Sequence, residues 1–274
     1  MKTPAMLTLS YLLLVGSPAV AATPVTGILG AFDEEVAFLQ SQVDSGRTVM
    51  VLGIPFIVGS LGGAEVVLAE TGVGKVNAAM TTTLLIDHFA PAAVLFTGIA
   101  GSLSDSLMPG DIVVGERTAQ HDLVVMTDEG RERFGVGNPV NGKRNPVFIS
   151  GDSTLIALAD RAAGLVSLDT LTTSIGTRAP RVVRGIIVTG DAFVASSTEK
   201  RALREDLGAD AVEMEGAAVA QVCYQHGVPC LVIRSISDHA DAGASDDLER
   251  FYQVAARNSA TLVREIVRLI VERR

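Results

Sequence analysis

The sequence predicts a single α/β domain in which a largely parallel sheet is covered by helices on both faces. Short apolar runs typical of buried strands alternate with helical segments along almost the whole chain, as in parallel sheets with crossover helices. Of the 274 residues, 48% are hydrophobic and only 4% aromatic, so the core must be aliphatic. That composition suits strands buried on both faces. No repeat, low-complexity tract or linker divides the chain.

The predicted elements begin with an apolar strand at 25–31 and a helix at 33–40, whose acidic first turn suits the positive end of the helix dipole. Apolar runs bounded by turn residues predict further strands at 48–57 (with a turn at 53–55), 65–70, 92–97, 111–118, 181–189, 209–213 and 229–235. Helical patterns predict helices at 76–88, 152–165, 199–207, 216–226 and 246–273. Small residues at 98–101 predict a tight turn, and the polar segment 122–148 predicts a long surface loop.

The first 22 residues have the pattern of a signal peptide. Lys2 gives a positively charged start, residues 6–16 are mostly apolar, and residues 19–21 fit the small-x-small cleavage pattern. The apolar run is short for a membrane-spanning helix. We therefore expect export to the periplasm or beyond in a bacterium, cleavage after residue 21 or 22, no remaining membrane anchor, and a folded domain at 23–274.

The charge and the cysteine content limit the kinds of partner and cofactor that we expect. The formal net charge is −9 and no basic patch is present, which argues against a nucleic-acid partner. Cys223 and Cys230 are the only cysteines. A disulfide is allowed in an oxidising compartment, although we favour two separate buried thiols. No Cys/His cluster has metal-ligand spacing, so neither a metal nor another cofactor is expected.

Carboxylates and an aromatic ring follow three predicted strand ends in the last third of the chain. These segments are 190–193, 213–216 and 234–238. Carboxylates beside an apolar wall can act as general acid and general base on a glycosidic bond. Neither Glu215 nor Asp238 lies in a run of charges, unlike ordinary solvated residues. Taken singly, either carboxylate could instead cap a helix or stabilise its N-terminus.

Six segments match the motifs of one known family, in the same order and over nearly the whole chain. They are 30–36, 71–79, 110–114, 190–193, 212–218 and 234–238. Together they closely resemble the 5′-methylthioadenosine/S-adenosylhomocysteine nucleosidases, a family with the nucleoside phosphorylase fold. The resemblance implies a central mixed, partly barrel-like sheet flanked by helices, and a homodimer. It also implies hydrolysis of adenine nucleosides to adenine and a thioribose, without a cofactor.

The resemblance assigns roles to individual residues. Asp238 would protonate N7 of the departing adenine, since a carboxyl group beside an apolar purine pocket can have a raised pKa. Glu35 would activate the attacking water, and Glu215 would hold the ribose hydroxyls. Phe193 would stack on adenine, with the main chain of Val194 reading the purine edge.

Further residues are expected to line or support the same site. Met214 would lie against the ribose or base, Glu213 would support the water and sugar network, and Ser237 would bond to the acid or the base. Arg234 would orient the water near Glu35. Other candidates are Ile99, Ala100 and Gly101 after the central strand, Leu248 or Phe251 for the 5′-thio pocket, and Phe134, reaching across a dimer interface.

The turn at 96–101 bears on the choice between water and phosphate as nucleophile. Related phosphorylases resemble Arg-x-Gly-Ser there, whereas Phe96 and Ile99 offer neither a guanidinium nor a hydroxyl group. A phosphate dianion would lack charge-assisted donors, so hydrolysis is favoured. Two alternatives stay open: a phosphorylase with an unusual phosphate site, and an exported nucleoside-binding protein with little catalysis. Ile99 also departs from the nucleosidases, which often carry Ser at this position.

Overall fold

A computed structural model describes residues 24–173 and 176–273, and the predicted signal peptide lies outside the described residues. Within these ranges the helices are α1 (Asp33–Gln40), α2 (Lys75–Phe89), α3 (Ser153–Ala163), α4 (Ser197–Leu207), α5 (Gly216–His226) and α6 (Ala244–Glu272). The strands are β1 (Thr26–Gly30), β2 (Asp44–Val51), β3 (Ile54–Leu61), β4 (Ala64–Glu70), β5 (Ala93–Phe96), β6 (Ile99–Ser102), β7 (Ile112–Gln120), β8 (Val124–Thr127), β9 (Gly130–Arg133), β10 (Ile149–Ser150), β11 (Leu171–Thr173), β12 (Gly176–Arg178), β13 (Val182–Thr189), β14 (Ala211–Glu213) and β15 (Cys230–Asp238).

One mixed sheet organises the domain. Its strands follow the order β10-β7-β13-β14-β6-β15-β5-β1-β4-β3-β2. Strands β4, β1, β5 and β15 run parallel, while β2, β3 and β4 form an antiparallel meander. Strand β15 pairs with β7 as well as β6, which closes β7, β13, β14, β6 and β15 into a ring. The mixed, partly barrel-like sheet implied by the resemblance is confirmed, whereas the largely parallel sheet predicted from alternation is wrong.

Helices cover both faces because the central strands are apolar on both sides. Ile28 and Leu29 are fully buried yet belong to different core clusters, since successive side chains of a strand point to opposite faces. Ile28 packs with residues of α1, α3 and α6, and Leu29 with residues of α2 and α5. Large aliphatic clusters therefore fill both sides of the sheet. None of the helices in the described ranges is long and apolar enough to cross a membrane.

The predicted turn at 98–101 is wrong. Residues 99–101 belong to β6, which pairs with β14 on one side and β15 on the other. The small residues serve close packing, because a Cβ added to Gly101 would lie 2.8 Å from Asp238 Oδ1. The predicted loop at 122–148 is wrong in part, because it contains the β8–β9 hairpin. The β11–β12 hairpin was not predicted.

The two cysteines lie at the end of α5 and the start of β15. Both are free thiols; Cys223 is buried and Cys230 is half-buried against the same aliphatic cluster. A hydrogen bond with Cys230, together with burial, raises the pKa of the Cys223 thiol well above its usual value. The two thiols are separate, as predicted, but Cys230 is half-buried where a buried side chain was expected.

Candidate active site

One pocket gathers side chains from strand ends that are far apart in the sequence. It lies at the carboxyl ends of β1, β14 and β15, where ligands commonly bind in α/β folds. Its lining residues are Phe32, Glu35, Val73, Ile99, Ala100, Gly101, Phe193, Val212, Glu213, Met214, Glu215, Ser237, Asp238 and Leu248. Of the fifteen site residues predicted from the sequence, eleven are in this lining, and Val194, Arg234, Phe251 and Phe134 are not.

Glu35 is held in place by main-chain donors from two elements. Its Oε2 accepts from the N–H groups of Ala31 at 2.5 Å and Phe32 at 3.1 Å, and its Oε1 accepts from Ile99 at 3.0 Å. Burial raises the pKa of Glu35, and the charge of Arg234 and the three N–H groups oppose that rise. A buried carboxylate with a raised pKa can take a proton from water near neutral pH.

Gly98 lets the chain pass close to Glu35. A Cβ at this position would lie 2.6 Å from Glu35 Oε1 and 3.1 Å from Arg234 Nη1. The adjacent Thr97 hydroxyl lies 2.7 Å from the Ser259 hydroxyl of α6, which also accepts from the Gly98 N–H at 3.3 Å. Helix α6 therefore supports the segment that leads into Ile99 and its contact with Glu35.

Asp238 ends β15 in a buried position beside a hydroxyl group. Ser237 Oγ lies 2.7 Å from Asp238 Oδ2, and the Ala240 N–H donates to Oδ1 at 2.8 Å. Burial raises the pKa of Asp238, while the Ser237 hydroxyl and the Ala240 N–H act in the opposite direction. The net result is a carboxyl group that holds its proton more readily than a solvated aspartic acid, as a general acid requires.

Glu215 precedes α5 and contacts the loop before α2. The Gly74 N–H donates to its Oε1 at 2.7 Å. Burial, with Glu213 nearby, raises the pKa of Glu215 to about 8, although Arg234 and the Gly74 N–H oppose the rise. Gly74 belongs to the matched segment 71–79, which thus directly contacts the predicted ribose-holding residue.

Glu213 and Arg234 form a buried ion pair behind the pocket. The Arg234 Nη2 and Nε atoms donate to Glu213 Oε2 at 2.7 and 3.2 Å. The same oxygen accepts from the N–H groups of Glu215 at 3.1 Å and Gly216 at 2.7 Å, and Thr189 donates to Oε1. Glu213 thus fixes the start of α5 and the backbone of Glu215.

Arg234 reaches Glu35 through charge rather than by lining the pocket. Its guanidinium carbon lies 4.0 Å from the centroid of the Phe96 ring, and Nη1 donates to the Phe96 carbonyl at 3.3 Å. This side chain is fully buried, and its Nε, Nη1 and Nη2 atoms all donate to protein oxygens, including the Ile233 carbonyl. From this position the charge of Arg234 opposes the rise in the pKa of Glu35, and its guanidinium group holds the Glu213 carboxylate in place.

Phe193 presents an open aromatic face at the pocket. Its side chain is 49% exposed, whereas the neighbouring Val194 is buried in a small cluster beneath the loop. Val194 therefore anchors the main chain that carries Phe193. Met214 lines the pocket next to Glu215 and is half-buried, so it is a pocket residue rather than ordinary core.

Several lining residues were not assigned from the sequence. Phe32, Val73 and Val212 extend the apolar wall, and the signal for all three was their place inside the matched segments. Leu248 lines the pocket, while its alternative Phe251 is buried in the fold. Phe134 borders a different cavity, beside Gln120 and Asn145.

The pocket combines three carboxyl groups of raised pKa with an apolar wall and an exposed ring. Such groups can exchange protons near neutral pH, and the ring can stack on a planar base. Within the described ranges, no group of three or more His, Cys, Asp or Glu side chains could hold a metal ion. The residues that line the pocket thus support acid–base chemistry on a glycosidic bond.

Comparisons with known proteins agree with this chemistry. The sequence model of the Phosphorylase superfamily matches residues 25–268. A 5′-methylthioadenosine/S-adenosylhomocysteine nucleosidase of Listeria monocytogenes serotype 4b (strain F2365) is 37% identical over 245 residues, which are 89% of this chain and 99% of the relative.

Solved structures show the same relationship. The nucleosidase of the same name from Colwellia psychrerythraea 34H, in complex with adenine, is 35% identical with a TM-score of 0.76, covering 89% of this chain and 95% of that one. The futalosine hydrolase of Helicobacter pylori strain 26695 is 34% identical with a TM-score of 0.75, covering 89% and 97%. The chain therefore belongs to the 5′-methylthioadenosine/S-adenosylhomocysteine nucleosidase family of the phosphorylase superfamily.

Proposed function

We propose that this protein hydrolyses the N-glycosidic bond of 5′-methylthioadenosine, S-adenosylhomocysteine or related adenine nucleosides, releasing adenine and a thioribose. The observation that carries the proposal is that Glu35, Glu215 and Asp238 line one pocket, each with a pKa raised by burial. The relatives named above as nucleosidases support the choice of substrate.

At the base end of the pocket, Asp238 supplies the proton that adenine needs in order to leave. Adenine is a poor leaving group as an anion, so protonation at N7 lowers the barrier to cleavage. Phe193 stacks on the purine and holds it against Asp238. Ser237 orients the acid, because its hydroxyl lies 2.7 Å from Asp238 Oδ2.

At the sugar end, Glu35 accepts a proton from the attacking water and Glu215 holds the ribose hydroxyls. The sugar gains positive charge as the bond to the base breaks, and hydrogen bonds to its hydroxyls strengthen as that charge develops. Glu213 and Arg234 are positioning residues here, since they hold the Glu215 backbone and set the charge around Glu35.

Water rather than phosphate is the nucleophile in this proposal. The N–H groups of Ala31, Phe32 and Ile99, which could otherwise bind an anion, already donate to Glu35. Arg234 is paired with Glu213 and is fully buried. Among the described residues that line this part of the pocket, a phosphate ion would therefore meet the Glu35 carboxyl group and no free cation.

The test is adenine release from 5′-methylthioadenosine by purified protein, first in phosphate-free buffer and then with phosphate added. We expect adenine and free thioribose in the first buffer, with a rate that phosphate does not change. Release that requires phosphate and yields a sugar phosphate would make the protein a phosphorylase. Binding of the nucleoside without release in either buffer would make it a nucleoside-binding protein.

The proposal also includes export and self-association. The signal-peptide pattern in residues 1–22 supports an exported protein whose mature domain starts near residue 23. N-terminal sequencing of protein from a periplasmic fraction tests this point, and an intact Met1 would contradict it. Exposed apolar side chains on the outer face of α2, including Val76 and Met80, support a homodimer, which analytical ultracentrifugation tests.

A further inference from the structure

Lys75 is the first residue of α2 and lies two positions after Val73, outside the lining of the pocket. Its ammonium group donates to Asp122 Oδ1 at 2.6 Å and to Gln120 Oε1 at 3.2 Å, where β7 ends. Only 18% of its side chain is exposed. A cation at the first residue of a helix faces the positive end of the helix dipole, so α2 itself gains nothing from this charge. The charge of Lys75 therefore serves its contacts with the end of β7.

Asp122 connects Lys75 to the loop that carries Phe193. While its Oδ1 accepts from the Lys75 ammonium group, its Oδ2 accepts from the Asp191 N–H at 2.9 Å. Burial would raise the pKa of Asp122, but the hydrogen bonds from Lys75 and from the Asp191 N–H outweigh it and lower that pKa. Asp122 is therefore ionised at neutral pH and holds both partners. Phe193 follows Asp191 by only two residues, so this contact fixes the start of its loop.

The carboxylate of Asp191 returns from the Phe193 loop to the start of α2. Its Oδ1 accepts from the main-chain N–H of Lys75 at 2.8 Å, and its Oδ2 lies 4.0 Å from the Lys75 ammonium nitrogen. The preceding N–H group, that of Gly74, donates to Glu215 Oε1 at 2.7 Å. Two consecutive N–H groups therefore hold the Phe193 loop and Glu215, so a movement of this stretch of backbone would displace both.

Lys75, Asp122 and Asp191 form a closed ring of contacts, which we call the clamp. It lies between the two ends of the pocket, because Phe193 belongs to the base end and Glu215 to the sugar end. The clamp is partly open to solvent, with 48% of the Asp191 side chain exposed, and such ion pairs contribute little to stability. A displacement of about 1 Å in a reacting or substrate-holding group can nevertheless lower a rate about 100-fold. The clamp is therefore suited to fixing geometry rather than to stabilising the fold.

We propose that Lys75 is a positioning residue for nucleoside cleavage, acting through the clamp to hold the Phe193 ring and the Glu215 carboxyl group at a fixed separation. The inference rests on the proposed nucleosidase function and adds a residue that touches neither the base nor the sugar. Loss of the Lys75 charge releases the Phe193 loop from α2, so the purine and the ribose are no longer held in register for cleavage.

The first experiment measures kcat/KM for 5′-methylthioadenosine. Lys75→Met keeps the length of the side chain without its charge and should lower kcat/KM about tenfold, whereas Lys75→Arg keeps a cation and should recover most of the loss. Lys200→Met is the matched control, because Lys200 is a partly buried lysine in the first turns of α4 that pairs with Asp105 and does not line the pocket. Its kcat/KM should equal that of the wild type.

A second experiment separates positioning from a general disturbance of α2. Lys75→Met should weaken adenine binding in calorimetry about threefold, the effect of losing one partly exposed ion pair. In a Phe193→Ala background the same substitution should leave adenine binding unchanged, because the ring that the clamp positions is gone. Asp122→Asn removes the same pair from the other side and should reproduce both results, which keeps the test decisive if Lys75→Met does not fold.

Two results would overturn the inference. One is a kcat/KM for folded Lys75→Met within twofold of the wild type, and the other is an equal loss of adenine affinity with and without the Phe193 ring. If the wild-type protein binds adenine but hydrolyses no nucleoside, the proposed function fails, while the calorimetric comparison still decides whether the clamp positions Phe193. A wild-type protein that does not bind adenine would overturn both.

Discussion

Glu215 makes the stability of the protein depend on pH in a way that one substitution should remove. Burial beside Glu213 raises the pKa of Glu215 from 4.5 to about 8. Between these values the folded protein keeps the proton and the unfolded chain has lost it. Proton binding by Glu215 therefore stabilises the folded protein fully below pH 4.5, and this contribution to the free energy of unfolding is lost as the pH rises through 8.

The size of the effect follows from the two pKa values. Each pH unit between 4.5 and about 8 lowers the free energy of unfolding by about 1.4 kcal/mol, which gives roughly 5 kcal/mol over the whole interval. Glu215→Gln resembles the protonated side chain but cannot ionise. The variant should therefore gain stability relative to the wild type as the pH rises, with the difference changing by roughly this amount.

Urea unfolding at several pH values between 4.5 and 8.5 measures the difference. Far-UV circular dichroism is the suitable signal, because the chain contains no tryptophan. Other titrating groups affect both proteins and largely cancel in the comparison. Glu205→Gln on the exposed surface of α4 is the control for the replacement of a glutamate by glutamine. A difference for Glu215→Gln that stays constant within about 1 kcal/mol across the range would refute the reasoning.

Three further predictions concern the surroundings of the site. Gly98→Ala places a Cβ 2.6 Å from Glu35 Oε1 and should lower kcat about 100-fold in the adenine-release assay. Gly137→Ala is the control and should leave kcat unchanged, because its Cβ would meet no atom within 4 Å. Equal kcat values for the two variants would contradict the close approach of Gly98 to Glu35. Arg234→Met leaves Glu213 buried without its partner and should lower the free energy of unfolding in urea by about 3–5 kcal/mol. Arg184→Met breaks an exposed pair with Asp160 and should lower the free energy of unfolding far less, so similar losses for both variants would show that the buried pair matters no more than a surface one. Phe193→Ala should weaken adenine binding in calorimetry up to about tenfold, and Phe193→Leu should restore only part of it; full affinity in both variants would exclude ring stacking.

Much of the site was predictable because its residues lie in short segments at strand ends. Glu35, Glu215 and Asp238 each follow a strand, and parallel strands deliver their carboxyl ends to one edge of a sheet. The resemblance supplied the roles, and the local patterns supplied the positions. Helix α5 was predicted with the bounds that the structure shows, since Gly216 and Gly227 flank a continuous helical pattern.

The sequence was less informative where long-range pairing decides the structure. Nothing local shows that β15 pairs with β7, the contact that closes the barrel. Residues 99–102 are small enough for a turn, and only their neighbours β14 and β15 make them a strand. Gly74 could not be linked to Glu215 because 141 positions separate the two residues. The Cys223–Cys230 contact likewise depends on how α5 returns to β15.

The measurement that tests the central claim most directly is kcat for adenine release by Asp238→Asn. Asparagine keeps the size of the side chain but cannot donate an acidic proton to N7, so kcat should fall by about 10²- to 10⁴-fold. Calorimetry with adenine should show that the variant still binds the base, and Asp246→Asn on the exposed first turn of α6 should turn over as the wild type does. Turnover by Asp238→Asn within tenfold of the wild type would contradict the assignment of Asp238 as the general acid.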